Sequence, residues 1–286
     1  MKKLAVAAAL LGLATAAHAA PTPLAVKVFT ASPQGFAVTA TLVSGEKDAV
    51  LVDGMFLLSD AHRLAAGILE SGKNLTTVYV THWHPDHYMG LAVLKQAFPA
   101  ARFVALPGTV QQIRDSWKAK LAQWGPVYGA NLPAEAVVPE PLEGTTLTLE
   151  GQSLEVKVAQ GDTKENSVVW IPSLRTAICG DIVYAGVYPW TVETTAADRK
   201  AWIEALDEIA ALQPRRVVAG HKDARLGDDP SSLTFMKAYL RHYDAALAAA
   251  TSSQSLQAKV KAKYPKLLLD VILKIAADGA FPAKAG

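Results

Sequence analysis

The stretch Val78-Tyr79-Val80-Thr81-His82-Trp83-His84-Pro85-Asp86-His87 decides how the chain is to be read. An apolar run ends abruptly in three imidazoles and a carboxylate, all within positions 82–87. Thr76–Val80 has the β-branched, apolar character of a buried strand. His82 and His84 are two apart. In an extended segment just past that strand they point to one side, where one metal ion can take both. Pro85 ends the extended run. Asp86 and His87 then point elsewhere, towards a second ion close to the first. Neutral imidazole and carboxylate both suit Zn²⁺. The cluster makes the chain a candidate metallohydrolase.

Around this stretch the chain reads as one α/β unit behind a targeting segment. Met1-Lys2-Lys3 is a basic start, Leu4 to Leu13 is apolar, and Ala17-His18-Ala19 has the form of a cleavage site. Residues 1–19 are therefore expected to be a signal peptide, and 20–286 a single hydrolase domain, periplasmic or secreted. Loss of Lys2 and Lys3 brings the 28 basic residues level with the 26 acidic ones, so the mature chain carries no formal net charge. Nothing basic enough for nucleic acid remains, and no later apolar run is long enough to span a bilayer. The expected partner is a small-molecule substrate, with the oligomeric state left open. The one cysteine, Cys179, cannot close an intramolecular disulfide and reads as a small buried hydrophobe.

Strands are expected at Leu24–Thr30, Phe36–Val43, Ala49–Val52, Thr76–Val80 and Arg102–Ala105, with helices at Asp60–Ser71, Asp86–Phe98 and Thr109–Gln123. Ser59 or Asp60 is the expected N-cap of the first helix. From Trp124 to Gly144 four prolines predict a long irregular loop. The second half predicts strands at Thr145–Leu149, Leu154–Val158, Ser167–Ile171, Thr176–Cys179 and Arg216–Ala219, and a helix at Ala197–Leu212. Helices near Ser231–Ala250, Ser255–Lys263 and Leu267–Ala277 close the chain and are expected to pack against its body. Two such halves predict two sheets face to face with helices outside.

His82-Trp83-His84-Pro85-Asp86-His87 resembles the H-x-H-x-D-H signature of the metallo-β-lactamase superfamily. That family places further ligands at later strand ends, and this chain has a residue for each. Gly161-Asp162-Thr163 stands where the family usually has G-H-T. Asp181 follows the strand ending at Cys179, and His221 follows Val217-Val218-Ala219. Asp53, after Ala49–Val52, matches an aspartate that supports the metal loop. The resemblance implies a four-layer αβ/βα sandwich and two metal ions, Zn²⁺ first, with Mn or Fe possible because the site is carboxylate-rich. It implies one ion at His82, His84 and Asp162, a second at Asp86, His87 and His221, and Asp181 between them. Asp162 replaces a histidine, and is either a direct ligand, a group one shell further out, or the mark of a site that holds one metal.

Two adjacent divalent ions lower the pKa of a water to about 7, and that water attacks a carbonyl. Asp86 is the expected proton shuttle. A β-lactam, lactone or ester is the expected substrate class; sulfate ester, thioester and phosphodiester cleavage, or a metal-binding relative with little turnover, are the alternatives. Asn166 either fixes its turn or reaches an oxyanion. Tyr184, Tyr188 and Trp190, with Trp117, Trp124 and Tyr128, could line an aromatic pocket or pack in the core. His62 and His242 lie off the motif. Lys222 and Arg225 either meet a substrate carboxylate or are solvated charges.

Overall fold

A computed structural model describes residues 22–282, so the expected signal peptide lies outside the described residues. The first sheet runs in chain order: β1 (Ala25–Thr30), β2 (Thr39–Ser44), β3 (Asp48–Val52), β4 (Asn74–Val80), β5 (Arg102–Ala105) and β6 (Glu140–Pro141). Its first three strands are antiparallel and β3 to β6 are parallel. Helices α1 (Leu58–Leu69), α2 (Pro85–Tyr88), α3 (Leu91–Ala97) and α4 (Pro107–Tyr128) occupy the crossovers. The second sheet comprises β7 (Thr146–Leu149), β8 (Gln152–Ala159), β9 (Asn166–Ile171), β10 (Thr176–Ile178) and, beyond a short strand β11 (Tyr184–Ala185), β12 (Arg216–Val218). β11 pairs with β13 (His221–Lys222) in a small parallel ribbon. Helix α5 (Ala196–Ala211) precedes β12, and α6 (Ser231–Ala248), α7 (Ser253–Lys263) and α8 (Asp270–Ala280) follow.

Strand alternation explains the layers. Val50, Val52 and Tyr79 of the first sheet meet Leu154, Val156, Val169, Ile171 and Val218 of the second in a core between the sheets. Their neighbours Ala49, Leu51, Val78 and Val80 face away, onto Leu64 and Ile68 of α1, Leu91 and Leu94 of α3, and Ile113 of α4. Val168 and Trp170 likewise face Trp202, Leu206 and Ile209 of α5 and Met236 and Leu240 of α6. Helix, sheet, sheet and helix thus stack as the expected αβ/βα sandwich. Each fully buried Leu, Ile or Val stabilises it by roughly 1.5–3 kcal/mol relative to exposure.

Several elements differ from the sequence expectation. β2 starts at Thr39 because Phe36 and Ala37 take positive φ, 58° and 51°. Neither Ser59 nor Asp60 caps α1. The helix begins at Leu58 with Leu57 at the N-cap, and the Asp60 carboxylate accepts instead from Ser32 and Arg63. The single helix expected over Asp86–Phe98 is two helices, α2 and α3, parted at Gly90. A β-carbon at Gly90 would lie 2.1 Å from the Gly54 carbonyl oxygen. The helix expected to stop at Gln123 continues through Pro126 to Tyr128. Packing offsets the hydrogen bond that proline removes. Trp124 and Tyr128 both pack on Phe36 and Phe56, with ring centroids 5.2–6.4 Å apart. The last helix starts three residues late, after Leu269 at φ 64°.

Candidate metal centre

The seven predicted site residues converge where strands of both sheets end. β3 delivers the supporting Asp53, β4 delivers His82 and His84, β10 delivers Asp181, and β12 delivers His221. Asp162 enters from the turn between β8 and β9, and Asp86 and His87 from α2. Two close approaches fix this corner. The Gly220 N–H donates to the Gly180 and Val183 carbonyls at 3.0 and 2.9 Å. A β-carbon at Gly220 would sit 2.5 Å from Asp181 Oδ1 and 2.4 Å from the Gly180 carbonyl, so only glycine fits there without a shift.

The donors form two groups. His82, His84, Asp162 and Asp181 offer one ligand atom each, all within 4.8 Å of one another; Asp86, His87 and His221 do the same. The grouping places Asp181 with the first set, where the resemblance implies a place between the two. Asp181 stands between the groups. Its Oδ2 lies 3.6 Å from His82 Nε2, and its Oδ1 lies 3.0 Å from His87 Nε2 and 3.2 Å from His221 Nε2. Asp86 Oδ2 is 3.2 Å from His221 Nε2.

The outward nitrogens of the imidazoles are occupied. His87 Nδ1 donates to Asp53 Oδ2 at 2.8 Å, and His221 Nδ1 to the Phe36 carbonyl at 2.7 Å. His84 Nε2 contacts Glu193 Oε2 at 2.8 Å, and His82 Nδ1 contacts Thr81 Oγ1 at 3.1 Å. Asp53, itself at φ 65°, also accepts from the Thr81 N–H and hydroxyl, so it supports the loop as expected. Outward N–H groups engaged in this way turn the remaining nitrogens, as lone pairs, toward the interior. His82 Nε2, His87 Nε2 and Asp181 Oδ1 are buried and face other donor atoms of the cluster at 3.0–3.6 Å, but among the described residues none makes a well-aligned hydrogen bond. Buried polar atoms without partners are costly, and a divalent cation would satisfy all three. The donor set therefore fits metal ions.

Charge within the cluster tells the same story. Burial pulls His87 and His84 towards neutrality, yet the facing carboxylates, Asp181 and Asp53 for His87 and Asp162 for His84, hold both pKa values well above the ordinary value. His221, buried but facing Asp181 and Asp86, is raised to about 10. Burial alone would raise Asp181, but His221, His87 and His82 hold it well below the usual carboxylate range. The cluster binds protons tightly where a metal would displace them.

Asp162 departs from the histidine-rich pattern, and its surroundings are specific. Its Oδ1 accepts from Asn166 Nδ2 at 2.7 Å, and its Oδ2 lies 2.8 Å from His84 Nδ1. Asn166 also donates to Thr163 Oγ1, so it fixes the turn. Burial and the neighbouring Asp162 and Asp181 raise the Tyr184 hydroxyl well above its ordinary pKa. It stays protonated, donates to Asp181 Oδ2 at 2.7 Å, and stacks on His221 with centroids 5.2 Å apart.

A cavity of about 50 Å³ opens over the cluster. His84, Asp86, Asp181 and His221 lie at its base, and Phe36, Trp124, Tyr188, Trp190, Leu269 and Ile272 are among its walls. Of the predicted aromatics, Tyr184, Tyr188, Trp190 and Trp124 line it; Trp117 and Tyr128 pack beside it against the core. His62 is exposed, and His242 contacts the Lys259 carbonyl, outside the donor cluster. Lys222 is a correction: it is buried and paired with Asp228 at 2.6 Å, because β13 turns it inward. Arg225 pairs with Asp223. Sequence reasoning missed Glu193, Lys120, the Phe36 carbonyl and the α8 wall. Only Glu193 had a nearby signal, the Thr195-to-Asp198 capping box that starts α5 two residues later.

The sequence pattern of the Metallo-beta-lactamase superfamily matches residues 33–221. No curated protein is similar enough to be matched to the chain. Among solved structures, a metallo-beta-lactamase family protein from Thermus thermophilus is 21% identical, with a TM-score of 0.62 over 90% of this chain and 91% of its own. A metallo-beta-lactamase from Pontibacter korlensis is 21% identical, with a TM-score of 0.53 over 71% and 87%. The DIM-1 metallo-beta-lactamase exposed to ceftazidime is 21% identical, with a TM-score of 0.56 over 76% and 92%. At these identities the structures speak for the fold alone. The match over residues 33–221 speaks for the family: the chain belongs to the metallo-β-lactamase superfamily. It is thereby a metal-dependent hydrolase.

Proposed function

We propose that the chain is an exported hydrolase with a two-ion centre that opens a small carbonyl substrate, a β-lactam or lactone first, using Zn²⁺. The observation that carries this reading is the position of Asp181, with one oxygen facing each donor group, at the base of a mostly apolar cavity. His82, His84 and Asp162 would hold one ion, Asp86, His87 and His221 the other, and Asp181 both. Bound there, divalent ions supply Lewis acidity to a carbonyl oxygen and lower the pKa of a water to about 7.

The chain's own residues do the rest. Asp86 is the most open of the cluster's carboxylates, with 13% of its side chain exposed against 0% for Asp162 and 2% for Asp181. It borders the cavity and can pass a proton between the reacting centre and solvent. Phe36, Trp124, Tyr188 and Trp190 exclude water and offer flat apolar faces to a ring-bearing substrate. No serine or cysteine nucleophile is required; Cys179 is buried in the core and its thiol is pushed up by burial. The basic start, apolar run and Ala17-His18-Ala19 support export, and among the described residues no helix is long and apolar enough to cross a membrane.

A second reading is favoured by one observation: both oxygens of Asp162 are already engaged, by Asn166 and His84. It makes the chain a metal-binding relative with little turnover. Metal analysis of protein purified from its own compartment, then a panel of β-lactam, lactone, ester and sulfate substrates, tests both. Two equivalents of zinc with chelator-sensitive lactam or lactone cleavage are expected. Tight metal binding without turnover on the whole panel establishes the second reading, and a chain without metal overturns both.

A further inference from the structure

Glu193 lies outside every motif of the sequence, yet the structure builds a place for it. It contacts three residues that line the cavity, His84, Trp190 and Lys120, with 34% of its side chain exposed, while its partner His84 is only 6% exposed. Two donors converge on the same oxygen: His84 Nε2 at 2.8 Å and Trp190 Nε1 at 2.9 Å both reach Glu193 Oε2. Lys120 of α4 stands 3.8 Å from Oε1 and lies over the Trp83 ring at 4.6 Å. The backbone beneath is pinned. Thr195 and Asp198 cap α5 reciprocally. Buried Arg199 donates to the Thr194 carbonyl at 2.6 Å and is itself held by Asp244 of α6.

An exposed ion pair between flexible chains contributes little. This contact differs, because one partner is a buried imidazole of the donor cluster and the carboxylate has a second fixed donor. We propose that Glu193 is a positioning residue for His84: by accepting the Nε2–H it fixes the tautomer and ring angle that turn Nδ1 toward Asp162 and Asp181. This rests on reading His82, His84, Asp162 and Asp181 as a metal subsite. Glu193 is then to His84 what Asp53 is to His87, but more exposed, on the same short segment as the cavity residue Trp190.

The test is a Co²⁺ titration of the metal-free full-length mature chain, read by visible absorption and by competition with a chromogenic chelator. In Glu193→Ala, one of two equivalents is expected to bind about 10–100-fold more weakly, as for other outer-shell partners of metal-binding histidines. Its absorption bands shift, the other equivalent is unchanged, and the metal-free melting temperature stays within about 2 °C of wild type. Glu193→Gln, which keeps an acceptor but loses the charge, falls between. Trp190→Phe leaves Glu193 in place but unanchored; it weakens the same equivalent by less, and serves if the Glu193 variants fold poorly. Two equivalents bound as in the wild type, or both weakened alike together with a lower melting temperature, overturn the proposal. A wild-type chain that takes up no Co²⁺ overturns the metal reading itself, a result distinct from either.

Discussion

The two donor groups share Asp181 but are held in different ways. His87 and His221 are anchored from deep inside. Asp53, at a strand end, takes one, and the Phe36 carbonyl takes the other. His84 and Asp162 are held by side chains from loops and strand edges: Glu193 before α5, and Asn166 at the start of β9. One group is thus anchored by a buried aspartate and a main-chain carbonyl, and the other by a glutamate and a side-chain amide. Two ions bound at donors held so differently would not need to be bound with equal strength.

The severest challenge to this contrast is Asp181→Ala, which removes the residue common to both groups. Both equivalents are expected to weaken, and kcat/KM to fall by more than the about 100-fold typical of an outer-shell loss. Retention of two equivalents, read by elemental analysis, would contradict the central place given to Asp181. Next in size is Asp53→Ala. It should weaken only the His87 equivalent, by about 10–100-fold. It should also cost about 1–3 kcal/mol of stability in denaturant unfolding, since the buried Thr81 N–H and hydroxyl lose their acceptor. Loss confined to the His84 equivalent would reverse the assignment of anchors.

Asp162→His approaches the same contrast from the other side. It restores an imidazole and frees Asn166, so the His82–His84 equivalent should change its affinity and its Co²⁺ spectrum while the His87–His221 equivalent stays put. Unchanged stoichiometry, spectrum and activity would remove Asp162 from the ligand set. The smallest expected effect is Trp124→Ala, at the wall. KM should rise by about tenfold, near 1.4 kcal/mol, with kcat nearly constant, as for loss of uniform binding. A fall in kcat with KM unchanged would place Trp124 in the chemistry instead.

The sandwich was legible because strand and helix periods are local. Val50 and Leu51, or Val168 and Val169, declare opposite faces by alternation alone. The candidate donors were legible because they fall in short motifs whose order the resemblance supplies. What stayed hidden depended on tertiary contact. Pro126 reads as a breaker until Trp124 and Tyr128 are seen packed on Phe36 and Phe56. Lys222 reads as solvated until β13 turns it onto Asp228. The Phe36 carbonyl carries no side-chain signal at all, and Glu193 reaches His84 across 109 residues of chain.

The cavity wall contributed by Leu269 and Ile272 has one further consequence. These residues lie beyond the family match, which ends at His221. The donors and part of the pocket wall thus come from stretches far apart in the chain, joined only because α8 packs into the same core as the first sheet.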